Sequence, residues 1–158
     1  GSPGILIVQP LHGQPGLVLT DAKRRPRLSI GLHTEGEPEV RFMNANGTTT
    51  SLWVGGSASG LLSFNDANGK PRVMLGTTSA ADLPAGLKTL GNSGSFLCLC
   101  DERGLPRADL SLTEHGPGLT LSDRRYRNRV QLFLSSVLQD EPLLLLNDAA
   151  GKPIWAAP

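Results

Sequence analysis

Residues 60–77 read GLLSFNDANGKPRVMLGT. Two alternating apolar runs flank Asp66-Ala67-Asn68-Gly69-Lys70-Pro71, a string of turn-forming residues. The layout returns in GLVLTDAKRRPRLSIGL at 16–32, SFLCLCDERGLPRADLSL at 95–112 and GLTLSDRRYRNRVQLFL at 118–134. Self-similarity of this kind marks a repeat architecture. The residues that open the turns are Asp21, Asn44, Asp66, Asp101, Asp123 and Asp148, spaced 22 to 25 residues apart with one interval of 35.

Two and four residues before each opening residue stand Leu17 and Leu19, Val40 and Phe42, Leu62 and Phe64, Leu97 and Leu99, Leu119 and Leu121, and Leu144 and Leu146. Every one is apolar, and the residues between them are mostly polar or small. Period two with one apolar face predicts half-buried strands. Beyond the turns, Leu28 and Ile30, Val73 and Leu75, Ala108 and Leu110, and Val130 and Leu132 keep the phase, with Trp53 and Trp155 on the same inward parity. The second repeat fits least well, with Ser51 inward and Leu52 and Val54 outward. Six residues past the opening residue, on the outward parity, stand Arg27, Arg72, Arg107 and Arg129, with Thr50 and Ile154 in the remaining two repeats.

The turn residues have local roles. An Asp or Asn oxygen is expected to accept backbone N–H groups one and two residues on. Gly47, Gly69 and Gly151 are expected to supply positive φ. Proline after the turn fixes φ and removes a ladder donor. The links HTEGEP, GGSASG, TEHGPG and SSVLQDEP are short and turn-like, so hairpins follow one another as antiparallel neighbours. ILIVQPLHGQPG at 5–16 resembles ADLSLTEHGPG at 108–118 and reads as the second half of an incomplete unit. It either closes the sheet or continues an array cut from a longer chain. Residues 1–4 look like a tag remnant or a cut end, and 77–95 like an irregular insertion with at most one or two helical turns.

The chain of 158 residues suits one domain, 1–158. At 39% hydrophobic and 18% charged it is globular in composition, and no apolar run approaches the ~18 residues of a membrane helix. Nothing in it predicts membrane insertion. A net charge of +1 gives no strong electrostatic pull toward nucleic acid or anionic membrane. The expected fold is all-β: about six antiparallel hairpins, some twelve strands, forming a closed or flattened meander barrel. A β-trefoil, or a β assembly shared between subunits, are the alternatives. An open single layer would leave the apolar face wet, and full burial of each such side chain is worth roughly 1.5–3 kcal/mol.

The pattern resembles that of uncharacterised bacterial proteins in which an L-x-L-x-D-x-x-G-K-P-R-x-x-L hairpin recurs about every 22 residues. LLLLNDAAGKPIWAAP at the end is similar to the D-x-x-G-K-x-x-W ending of such arrays. The resemblance covers nearly the whole chain, and its motif is structural. It implies no activity, catalytic residue or cofactor, and it points to a surface or appendage module, extracellular or at the cell surface.

No constellation for chemistry emerges. His12, His33 and His115 lack zinc-ligand spacing, and the glycine- and serine-rich links lack the G-x-S-x-G order. Turn capping accounts for the aspartates without a calcium ion. Cys98 and Cys100 lie i and i+2 on the outward parity, where a partner subunit or the 77–95 segment would cover them. Asn46-Gly47-Thr48 is a formal glycosylation sequon whose composition the turn already explains. Arg27, Arg72, Arg107 and Arg129 are the candidate binding residues: an outer belt fit for an acidic glycan, or a solubilising face. The scarcity of aromatic residues, 4% of the chain, argues against base stacking on nucleic acid. The expectation is therefore a non-catalytic structural or protein-interaction module that self-associates or meets a protein partner. A glycan- or ligand-binding β-domain using the arginine belt is the alternative.

Overall fold

The computed structural model describes residues 4–8, 16–32, 36–55, 60–78, 94–113, 116–135 and 141–157. The chain divides into two compact units, Gly1–Pro71 and Arg72–Pro158. All regular structure among the described residues is β.

The first unit holds β1 (Gly4–Val8), β2 (Gly16–Thr20), β3 (Pro26–Leu32), β4 (Pro38–Met43), β5 (Thr49–Gly55) and β6 (Gly60–Asn65). The second holds β7 (Pro71–Thr78, from the boundary residue onward), β8 (Gly94–Cys100), β9 (Pro106–Thr113), β10 (Gly116–Ser122), β11 (Asn128–Ser135), β12 (Glu141–Asn147) and β13 (Pro153–Ala157). Within each unit every strand pairs antiparallel with its chain neighbours, in sequence order. The expected incomplete first repeat is β1, which pairs with β2. The predicted meander is thus present, as thirteen strands. Neither unit closes on itself among the described residues: β1 does not pair with β6, nor β7 with β13. Of the expected forms, the flattened meander describes each unit, whereas closure and trefoil pairing do not, since each described strand pairs with the strands before and after it in the chain. The expected irregular segment at 77–95 lies mostly outside the described residues, β7 ending at Thr78 and β8 starting at Gly94.

The six turns are built alike. In each, the N–H three residues past the opening residue donates to its carbonyl, as in Gly69 N to Asp66 O at 3.0 Å and Gly104 N to Asp101 O at 2.9 Å. The opening side chain then accepts amides two and four residues on: Asn68 and Lys70 at 2.9 and 3.0 Å from Asp66 Oδ1, Asn46 and Thr48 at 2.9 and 3.0 Å from Asn44 Oδ1. The expected amide two residues on is in place, and the other lies four residues on rather than one. The residue that donates to the carbonyl has reversed its φ, and its amide points across the turn, so the side chain reaches the amides on either side of it. That reversed residue is Gly47, Gly69, Gly104 or Gly151, but also Arg24 (φ 60°) and Tyr126 (φ 59°). A side chain there meets the steric penalty that glycine escapes.

One residue after five of the six turns the ladder slips. Thr20 pairs with Pro26, but Leu19 pairs with Leu28, so Arg27 is an extra residue in a β-bulge. Arg107 and Arg129 are the extra residues of β9 and β11, and Thr50 and Ile154 those of β5 and β13. Without the slip, the register set by the turn would place Arg27 opposite Leu19. The bulge shifts the phase by one and puts Leu28 there instead.

The result is two chemically distinct faces. One carries continuous aliphatic rows. In the second unit Leu75, Leu97, Leu110, Leu119, Leu132, Leu144 and Ala157 stand directly opposite one another from β7 to β13. In the first unit Leu17, Ile30, Val40, Trp53 and Leu62 do the same from β2 to β6. These are the residues expected to be inward, yet they are open: Leu110 is 54% exposed, and Leu75, Leu99, Phe42, Trp53 and Phe64 are about as open. The opposite face holds the best-covered side chains, Met74, Phe96, Cys98, Ser63, Asp109 and Asn147. The expected burial is inverted because each unit is a single layer. Among the described residues no second layer lies over the aliphatic rows within either unit.

Candidate functional site

The proposed arginine belt comes first. Arg27, Arg107 and Arg129 each reach back to the carboxylate that opens their own turn, with Nη1 at 3.8 Å from Asp21 Oδ2, 3.8 Å from Asp101 Oδ2 and 3.9 Å from Asp123 Oδ2. Arg107 Nε also donates to the Ser122 carbonyl at 2.8 Å. The sequence placed these arginines on one parity. The bulges explain why a long, charged residue recurs there: the inserted residue points back over the turn, where an aspartate waits. Arg72 stands at the equivalent position and lies close enough to Cys100 to favour its thiolate.

A second network joins successive turns in the second unit. Tyr126 Oη donates to Asp101 Oδ2 at 2.9 Å, Arg103 Nη2 donates to the Arg124 carbonyl at 2.8 Å, and the Arg103 guanidinium sits 4.9 Å above the Tyr126 ring. Arg127 donates to the Ala149 carbonyl of the following turn. Asn side chains serve the bulges: Asn65 Nδ2 donates to the Thr49 carbonyl at 3.1 Å, and Asn147 Nδ2 to the Asn128 carbonyl at 3.1 Å. Each of those carbonyls precedes an inserted residue, where the ladder cannot satisfy it.

The carboxylates respond accordingly. The Arg25 guanidinium, with backbone amides, holds Asp21 down to about 2, and Arg127 does the same for Asp123. Burial pushes Asp101 up, but the amides of Leu105 and Arg103 and the Tyr126 hydroxyl together outweigh it and leave its pKa lowered. These aspartates are acceptors already in use.

The opposite face holds the remaining polar chemistry. Cys98 and Cys100 place their sulfurs 3.8 Å apart, and Cys98 is fully buried. Cys98 lies on the face opposite the leucines, as expected, with Met74 and Asp109 across from it on the neighbouring strands, and the 77–95 segment, one of the two expected covers, lies mostly outside the described residues. The hydrogen bond between the two thiols pushes Cys98 up and Cys100 down, so Cys100 is the member that ionises first. Burial raises Asp109, whose Oδ2 has no partner. No group of three potential metal ligands occurs among the described residues. His12, His33 and His115 lie outside them.

What remains uncommitted is the aliphatic face. In the second unit it includes Val73, Leu99, Ala108, Leu121, Val130, Leu146 and Trp155 in one row and the leucine row beside it. A shallow depression of about 310 Å³ opens on it, lined by Leu110, Leu119, Leu132, Leu134, Pro117 and Pro142 among others. The alternation made this face legible, but not its exposure, since period two marks a face and leaves open what covers it. No protein-family model matches the chain, and no curated protein matches it.

Proposed function

We propose that the chain is a non-catalytic structural or protein-interaction module of the kind carried by bacterial surface or appendage proteins, and that its working surface is the aliphatic face. The observation that supports this reading is a division of labour. The recurring aspartates, asparagines, glycines and most of the recurring arginines are engaged in turns, bulges and turn-to-turn bonds, while the apolar rows have no partner layer among the described residues of their unit. Apolar patches of more than a few hundred Å² on a folded unit mark interaction surfaces.

The rival reading, an acidic-glycan site on the arginine belt, draws less support, because Arg27, Arg107 and Arg129 already face carboxylates. Titration with heparin at low ionic strength separates the two. The module reading expects no saturable heat. Saturable, salt-sensitive binding that disappears in Arg107→Ala and Arg129→Ala would transfer the function to the belt.

A further inference from the structure

We infer that the aliphatic face of the second unit is a self-complementary dimer interface, covered by the same face of a second copy of this chain. The inference rests on the interaction-module reading and names its partner.

The face itself narrows the occupant. Its rows contain no charged side chain from Val73 to Trp155 or from Leu75 to Ala157, so a partner selected by charge finds nothing to pair with. Lipid is a poor fit as well. A membrane-spanning strand needs about 9–11 residues, and β7 to β13 run to between five and eight. Two of the turn arginines that would anchor such a sheet to phosphate headgroups are tied to their own aspartates, Arg103 to Asp101 and Arg127 to Asp123.

A second sheet of the same kind does fit. Regular rows of branched side chains on a pleated surface are the surfaces that interdigitate when sheets pack face to face about 10 Å apart. A copy of this unit offers the same rows, the same dimensions and the same absence of charge, which is the requirement for a twofold interface. The size suffices. Seven strands about 4.8 Å apart and an apolar band about five residues deep give roughly 500 Å² per copy, hence about 1,000 Å² for the pair, the area at which specific interfaces begin. The depression beside Leu110 and Leu132 gives the facing copy a recess for a large side chain. Leu112, at 55% exposure on the same face, is such a side chain.

Light scattering on a sizing column reads the assembly, and hydroxyl-radical footprinting of the wild-type chain reads Leu110, Leu112 and Leu132 without any substitution. The expected result is a particle of twice 16.7 kDa with those leucines protected. The Leu110→Gln/Leu132→Gln variant is expected to return to 16.7 kDa with its far-ultraviolet strand signal unchanged. A wild-type particle of 16.7 kDa overturns the inference. With the leucines labelled, such a monomer leaves the face open to a different protein and the module reading stands. With them protected, the face is closed within the chain and both readings fall. An assembly whose leucines are labelled, or whose mass the variant does not change, associates through its strand edges and also overturns the inference.

Discussion

Asn44 does the work of five aspartates. Its Oδ1 accepts the amides of Asn46 and Thr48 just as each aspartate accepts two amides of its own turn, so the carbonyl-like oxygen matters more than the charge. Asn44→Ala is expected to cost about 1–2 kcal/mol, two modest backbone hydrogen bonds, and Asn44→Asp to stay within about 0.5 kcal/mol; urea unfolding measures both. Charge matters where an arginine follows. Asp21 and Asp123 are held to about 2, below the ordinary carboxylate value near 4. A depressed acid stabilises the fold above its unfolded pKa and loses that contribution as pH falls through the folded one. The urea midpoint should therefore fall between about pH 4 and pH 2, and an Asp21→Asn/Asp123→Asn variant should flatten that decline. The two left-handed residues part ways. Arg24→Gly relieves a strained φ and is expected to stabilise by up to about 1 kcal/mol, less glycine's entropic cost. Tyr126→Gly forfeits the bond to Asp101 and the stack under Arg103, so it is expected to destabilise; thermal unfolding of the pair reads the opposite signs.

At the scale of the strand, the bulge governs. Deleting Arg129 removes the inserted residue and leaves Val130 opposite Leu121 in an unbroken ladder, with Ser122 still opposite Asn128. The apolar row is kept, and what is lost is the guanidinium over Asp123 and the added twist of the bulge. A cooperative urea transition with a lowered midpoint is the expected outcome, and Arg129→Thr, which keeps the count as Thr50 does in β5, is expected to shift the midpoint less. The count of residues in each repeat was legible in the sequence, and so was the parity of Leu19 and Leu28. The bulge reconciling them was not, because parity alone does not say where the ladder slips. Likewise the recurrence of arginine six residues past the turn was visible, but its engagement with its own aspartate was not. That engagement depends on the inserted residue being aimed back over the turn, a three-dimensional consequence of the slip.

At the scale of the molecule, each unit is a chain of nearest neighbours. Among the described residues each strand pairs only with the strands before and after it, so stability is a sum of local terms and damage stays local, as in other repeat architectures. Asn44→Ala is expected to raise amide exchange in β4 and β5 well above that in β11 and β12, read by mass spectrometry on the intact chain; uniform acceleration across all strands would contradict this one-dimensional picture. The all-β meander was legible because alternation and turn residues are local signals. The wet aliphatic face was not, since a sequence states which residues are apolar and leaves out whether a second layer exists to meet them.

The order of the strands also bears on how the protein is made. A hairpin forms in about 1–10 μs, whereas a ribosome adding about 5–20 residues each second takes more than a second to deliver one repeat. Within each unit a new hairpin therefore finds its edge already waiting and docks before the next one has left the exit tunnel. No strand is held idle for a distant partner, and the nascent chain grows as a sheet from its first strand onward.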